Sequence, residues 1–252
     1  MNTQKSIFFA FLLLAMTIAA LPAVSTAQGL DVKAGADLVS RYLWRGIVMN
    51  DAPNVQPYIT LETDGFAFGF WGSATLANNN APDDYYAISQ ETDFWAGYTH
   101  SFDSGAEIGI MVTDYYFPKA GLKFSNFNNY DDADGPGAHT LEAGISLKGP
   151  SSFPLTCSVY RNIHNDAGNN MYIQLDYSLQ VKEIGLDMFI GSAAGSDDNP
   201  AYYGTDEFSI ICLGLKASRS IKITADFTLP LFVSYTVNPN DDAAYVIFGC
   251  SL

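Results

Sequence analysis

Few residues in this chain could do chemistry. There are three histidines, His100, His139 and His164, and three cysteines, Cys157, Cys212 and Cys250. No Cys–His grouping has zinc spacing, and an odd, scattered set of thiols is no disulfide framework. A lipid hydrolase would need a serine beside a histidine that Asn or Asp orients. His164, flanked by Asn162 and Asn165, could be drawn to Ser158 or Ser192 in that way. No spacing singles the pair out, so no catalytic residue and no cofactor is assigned. The acids are more distinctive: Asp83-Asp84, Asp131-Asp132-Ala133-Asp134-Gly135, Asp197-Asp198 and Asp241-Asp242. Clustered carboxylates suit a hard divalent cation. Asp131, Asp132 and Asp134 come nearest to a calcium loop, but lack its full ladder and its Glu at the twelfth position. The bland reading is solvated loop acids. Beside them Tyr85-Tyr86, Tyr115-Tyr116 and Tyr202-Tyr203 could stack on sugars or sit at a membrane interface.

The other charges are single, and their meaning depends on the elements that carry them. Those elements read as strands. From Val32 to Trp44 the even positions are apolar but for Ser40, and the odd positions from Lys33 to Arg45 include Lys33, Asp37, Arg41 and Arg45. Met171–Val181 sets Met, Ile, Leu, Tyr, Leu and Val against Tyr, Gln, Asp, Ser and Gln. Ile221–Leu229 alternates with Lys222, Thr224, Asp226 and Thr228. Period two is the signature of a β-strand with two unlike faces. It predicts about twelve runs of ~9–12 residues, the length of a tilted strand crossing a bilayer. They fall near 32–45, 54–63, 66–77, 91–101, 106–117, 139–148, 154–163, 170–181, 183–193, 207–217, 221–236 and 243–252. The tenth, apolar on both faces from Phe208 to Leu215, has no assignable sides.

Short links such as Asp64-Gly65, Asp103–Gly105 and Arg219-Ser220 alternate with longer Asn-, Asp- and Gly-rich ones such as Gly46–Pro53 and Pro118–Ala138. A soluble sandwich has no reason to sort its loops in this way. The fold class that follows is all-β: an antiparallel transmembrane barrel of about twelve strands, with short periplasmic turns and longer outer loops. Tyr42, Trp44, Trp95, Tyr98, Tyr115, Tyr116 and Tyr235 near strand ends would form its interfacial girdle. The polar faces would make a wet lumen carrying Lys33, Asp37, Arg41, Arg45, Glu62, Asp93, Glu142, Asp176, Lys182 and Asp226. Within it Arg41 and Arg45 would either pair with carboxylates such as Glu62 or Asp93, or form an anion-attracting step.

Composition agrees. The chain of 252 residues is 48% hydrophobic and only 15% charged, unlike a disordered acidic tail. Its net charge of −15, with no basic cluster, excludes nucleic acid as a partner. Lys5, the apolar run Ile7–Leu21 and Ser25-Thr26-Ala27 form a secretory signal peptide over 1–27, leaving 28–252 as the barrel. The last run ends on apolar Leu252, which suits an outer-membrane assembly signal although the usual terminal aromatic is absent.

The stretch Ser40-Arg41-Tyr42-Leu43-Trp44-Arg45-Gly46-Ile47, followed by Pro53, Gln56, Gly65-Phe66, Gly69 and Trp71-Gly72-Ser73, resembles a known opening. It is that of a family of uncharacterised bacterial outer-membrane barrels of proteobacterial type, with a Ser-x-Tyr-x-x-Arg-Gly pattern and a Trp-Gly-Ser two strands later. The resemblance is confined to Ser40–Ser73. It implies fold and location in a Gram-negative outer membrane, and carries over no catalytic residue. The expected function is a small porin or solute channel with a narrow charged lumen. Behind it stand a closed barrel that binds through its acidic outer loops, and third a lipid hydrolase. The partners to expect are outer-membrane lipid, the outer-membrane assembly machinery and a small solute or divalent cation.

Overall fold

The computed structural model describes residues 29–77, 90–118, 121–196, 198–199 and 202–252. The signal-peptide reading of 1–27, Asp83-Asp84, Tyr85-Tyr86 and Asp197 lie outside the described residues. The strands are β1 (Asp31–Val39), β2 (Tyr42–Trp44), β3 (Ile47–Asn50), β4 (Asn54–Thr63), β5 (Phe66–Thr75), β6 (Gln90–Ser101) and β7 (Glu107–Tyr116). They continue as β8 (His139–Lys148), β9 (Leu155–His164), β10 (Met171–Val181), β11 (Ile184–Ala194), β12 (Phe208–Lys222), β13 (Thr228–Asn238) and β14 (Ala243–Ser251). Twelve of them form one closed antiparallel barrel, each beside its chain neighbour, with β1 shut against β14. β2 and β3 stand apart as a two-stranded hairpin.

The alternation is resolved as a membrane barrel resolves it. Ile59, Leu61, Phe68, Ile110, Val112, Ile145, Leu147, Leu175, Leu213, Val233, Val246 and Phe248 are exposed on the outside. Gln56, Ser73, Glu91, Asp93, Thr113, Glu142, Ser158, Asn162, Thr236 and Asn238 are buried within. A water-soluble protein has this arrangement reversed, whereas a lipid-facing belt around a polar interior requires it. Many inward aromatics lie flat on a glycine of the next strand: Trp95 on Gly69, Tyr160 on Gly144, Tyr172 on Gly191, Phe189 on Gly214 and Phe232 on Gly249. Any β-carbon at those glycines would run into the ring, so the missing side chain is what lets it lie against the wall.

One end of the barrel carries the short links 64–65, 102–106, 149–154, 182–183 and 223–227, and the other the links 40–53, 76–89, 117–138, 165–170, 195–207 and 239–242. At the short-link end Lys33 pairs with Glu62 at 2.7 Å, Lys148 with Glu107 at 3.0 Å and Arg219 with Glu183 at 2.6 Å.

Three sequence expectations need correction. First, β12 does not turn at Arg219-Ser220. Those residues pair with Leu231 and Pro230, the ladder runs on to Lys222, and the turn lies at 223–227, closed by Ile223 N–H to Phe227 O at 2.9 Å. A polar pair near a membrane edge resembles a turn, but here Arg219 reaches the edge and pairs with Glu183. Asp226 is therefore a turn residue and not a lumen charge. Second, Lys182 sits with positive φ (57°) in the link between β10 and β11, also outside the lumen. Third, much of the expected girdle faces inward. Tyr42, Trp44, Trp95 and Tyr115 all border the interior, Trp95 sharing the phase of Asp93 and Tyr115 that of Thr113. Tyr235 does face outward.

Adjacent residues on β4 test the faces. Ile59→Arg puts a charge near mid-bilayer and should cost about 2–4 kcal/mol, whereas Thr60→Arg, pointing into the lumen, should cost little. Refolding yield and urea midpoint in lipid measure the difference. Equal losses would mean that the faces are assigned wrongly.

Candidate functional site: the lumen and its inward hairpin

The first strand does not run from 32 to 45. β1 leaves the wall after Val39, and the chain turns into the barrel as the β2–β3 hairpin. Its two-residue turn is Arg45-Gly46, with φ of 49° and 81°. Tight hairpins whose twist matches their strands use positive φ at both central positions. Gly46 is also forced by space, because a β-carbon there would overlap the carbonyl of Ile211 on β12. Asn238 on β13 donates its amide to Gly46 O at 3.2 Å, so the tip rests on two strands of the wall. At the base Arg41 is ion-paired with Asp51, and Asn50 and Asn54 bond to Ala52.

Arg45 is the centre of the site. Its Nη1 and Nη2 donate to Glu142 Oε2 at 2.5 Å and Oε1 at 2.8 Å, a forked pair. Nη1 also donates to the Tyr203 hydroxyl at 2.6 Å, and the Tyr115 hydroxyl donates to Glu142 Oε1 at 2.9 Å. The rings of Trp44, Tyr160 and Tyr172 lie 4.5–4.6 Å from the guanidinium carbon. The two side chains are 10% and 1% exposed. Charges so far from water persist when they are paired and hydrogen-bonded, and here two tyrosine hydroxyls and three ring faces surround the forked pair. A planar fork matched to a carboxylate is a property of arginine, and lysine lacks it.

Apolar packing closes over the pair. Tyr203, from the 195–207 link, stacks on Trp44 at 5.7 Å, and Tyr202 meets both rings edge-on. Ile211 is wholly buried in the same cluster. The β11–β12 ladder pairs Ser192 with Ile210 and Gly191 with Cys212, which leaves Ile211 as a bulged residue. A bulge redirects a side chain, and this one explains why that run is apolar on both faces. On the other flank Tyr42 packs on Trp71 at 5.5 Å. Glu91 Oε2 and Asp93 Oδ1 are buried without a partner among the described residues.

Beside the hairpin lies a cavity of about 500 Å³. Its border includes Asp37, Gln56, Asp93, Thr113, Gln174, Lys216, Ser234 and the rings of Trp71, Trp95, Tyr115, Phe189 and Phe232. Lys216 Nζ stands 4.3 Å over Phe232.

The charges expected in the lumen thus separate. Asp37, Arg41, Arg45 and Asp93 border the cavity, and Glu142 is buried beneath Arg45. Asp176 accepts from Gln174 at 2.7 Å, while Lys33 and Glu62 pair with each other at the short-link end. The arginines meet Asp51 and Glu142 in place of Glu62 or Asp93. Glu91 and Lys216 were missed, and Tyr115 and Tyr203, expected as stacking or interfacial rings, give their hydroxyls to the Arg45–Glu142 pair. Lys216 lies in phase with Cys212 and Ser218 of a run whose faces alternation could not assign. The histidines are structural or unengaged. His139, buried, bonds to Asp114 at 2.9 Å and Phe124 O at 2.6 Å between the rings of Tyr116 and Phe127. His164 Nε2 has no partner among the described residues, and neither Ser158 nor Ser192 reaches it. Asp131 and Asp132 accept bonds from Asn129 in their own loop. Among the described residues no three metal-binding side chains converge.

One acid does organise the outer loops. Asp166 accepts from Asn162, Asn170, Gly168 and Asn199 at 2.7–3.3 Å. Partial burial pushes its carboxyl up, but the bonds from Asn162, Asn199 and Asn170 outweigh this and hold it below the usual aspartate range.

A closed barrel with an apolar exterior, a polar lumen and an inturned first loop defines a transmembrane β-barrel. The chain belongs to the Gcw_chp family, described as bacterial proteins of unknown function, whose family model matches residues 23–237. No curated protein matches it in sequence. Among solved structures it is similar to the KdgM porin, at 11% identity and TM-score 0.49, over 88% of this chain and 96% of that one. It is also similar to the outer-membrane protein OprD from Pseudomonas aeruginosa, at 12% identity and TM-score 0.39, over 89% and 64%. A third likeness is to OprB from Pseudomonas putida, at 10% identity and TM-score 0.35, over 90% and 70%.

Arg45→Gln strands Glu142 as a buried charge and should cost about 3–5 kcal/mol, whereas the double variant with Glu142→Gln should recover part of it. Urea unfolding in detergent gives both numbers, and simple additivity would show that the two side chains are not coupled. Asp166 makes a separate prediction. Its folded pKa is depressed, so its contribution is full above the unfolded value and fades as pH falls through the folded one. Protease protection of the 165–170 and 195–207 links should therefore drop below pH ~4. Asp166→Asn should already show that loss at neutral pH. Protection in the variant equal to that of the natural protein would remove Asp166 from this role.

Proposed function

We propose that the protein is an outer-membrane solute channel whose narrow, charged lumen is restricted by its own first loop. The observation that carries this reading is the cavity of about 500 Å³ inside a closed barrel, bordered by polar side chains and by the hairpin. A barrel built only as a scaffold could fill its interior with paired and apolar groups. This one keeps Asp37, Asp93, Gln56 and Lys216 around open space. Twelve strands enclose a lumen smaller than that of a 16–18-stranded general porin, which fits small solutes. On this reading the chain lies in the outer membrane of a Gram-negative bacterium, meets lipid with its apolar belt, and is inserted by the assembly machinery.

One observation favours a second reading, a closed barrel acting through its outer loops. The hairpin and Tyr203 fill much of the mouth, and the neighbouring loops are tied to Asp166. Planar-bilayer recording of the purified protein separates the two. The channel reading expects discrete small conductance steps, and larger or noisier ones for Arg45→Gln, in which the hairpin loses its anchor. A folded barrel that stays silent, as does its Arg45→Gln variant, would overturn the channel in favour of the closed form.

A further inference from the structure

The cavity has a particular chemical taste. Three cations border it, Arg41, Arg45 and Lys216, and each sits over aromatic rings: Arg41 5.4 Å from the centre of Tyr245, Arg45 on three rings, and Lys216 on Phe232. The interior already stabilises guanidinium and ammonium groups through ring faces. Two acids also border it, Asp37 and Asp93, and among the described residues neither has a cation within ion-pair distance. Asp93 is 7% exposed, and its Oδ1 is buried without a partner. Two indoles are its neighbours on the inner wall: Trp71 is its direct cross-strand partner on β5, and Trp95 is the next inward residue on β6.

From this juxtaposition we infer that the cavity is a binding site for a small organic cation, an alkylammonium or guanidinium, held by Asp93 beside Trp71 and Trp95. A buried acid with one oxygen unpartnered, its neighbour Glu91 likewise, and two indoles beside them offer such a ligand partners for both its polar head and its carbon skeleton. A hard metal ion would need several oxygen ligands, and among the described residues no such group converges. For a small anion Arg41 and Arg45 are already paired with Asp51 and Glu142, which leaves Lys216 on β12, six strands from β6 in either direction round the ring. The volume is ample for a molecule of a few heavy atoms. This deepens the channel reading by naming the class of solute, but binding itself does not require conduction.

All three tryptophans of the chain, Trp44, Trp71 and Trp95, border the cavity, so intrinsic fluorescence reports its occupancy directly. The test titrates the full refolded barrel in detergent at constant ionic strength with n-butylammonium, n-butanol and n-butyrate, which share a skeleton and differ in charge. The expected result is a saturable change with butylammonium alone, weakened about tenfold by Asp93→Asn. Lys216→Gln, which removes a competing cation, should tighten it. An equal response to butanol, no saturable response to any of the three, or unchanged affinity in Asp93→Asn would overturn the proposal. Should Asp93→Asn fail to refold, Lys216→Gln decides: tighter butylammonium binding supports the site, and unchanged or weaker binding overturns it. Saturable binding in a barrel that does not conduct would keep the site and remove the channel. Conduction without binding would do the opposite.

Discussion

A strand that crosses lipid must pass every backbone N–H and C=O to a neighbour, because the bilayer core has no water to receive them. The whole molecule answers to that constraint. Each wall strand is paired on both edges, and the ring closes where β1 meets β14. That seam is the shortest ladder of the twelve. Asp37, Leu38 and Val39 face Ser251, Cys250 and Gly249, and reciprocal bonds between Ala36 and Leu252 extend it by one step. On its other edge β1 pairs along its full length with β4. Once closed, the sheet has no exposed edge, but it encloses a space that must be filled or kept wet.

The space is filled from above by the chain itself. A hairpin in a barrel mouth takes backbone and a charged side chain out of bulk water. The forked Arg45–Glu142 bond, the two tyrosine hydroxyls and the three rings meet that demand together. Buried ion pairs of this kind often stabilise no more than apolar packing would. Their value here is positional. A hydrophobic tip could slide over the wall, whereas a two-toothed fork admits one register. The same hairpin shapes one side of the cavity, where its Tyr42 packs on Trp71.

Alternation made the barrel legible from sequence, because a period of two with unlike faces survives any detail of packing. The strand count and the sorting of short and long links followed from it. The hairpin was not legible, since its strands keep the same period as the wall. Tyr42 and Trp44 continue the apolar phase of β1 although they face inward. The available signal was Arg45-Gly46, a two-residue turn flanked by β-formers, which reads as a hairpin only once the strand is allowed to end at Val39. Ile211 and Arg219 misled for related reasons. A bulge inverts a face locally, and a charge at the membrane edge resembles a loop. The partner of Arg45 lies 97 positions away, a pairing that only closure of the ring brings together.

The Arg45–Glu142 bond holds the first loop inside the barrel. Solid-state NMR measures this most directly, as dipolar coupling between ¹⁵N-labelled arginine side chains and ¹³C-labelled glutamate carboxyls in lipid, with Glu142→Gln as the assignment control. One buried guanidinium signal should dephase strongly, as the nitrogen–oxygen contacts of 2.5 and 2.8 Å require, and should lose that dephasing in Glu142→Gln. Dephasing that survives intact in Glu142→Gln, or is absent in the natural protein, would place the hairpin elsewhere.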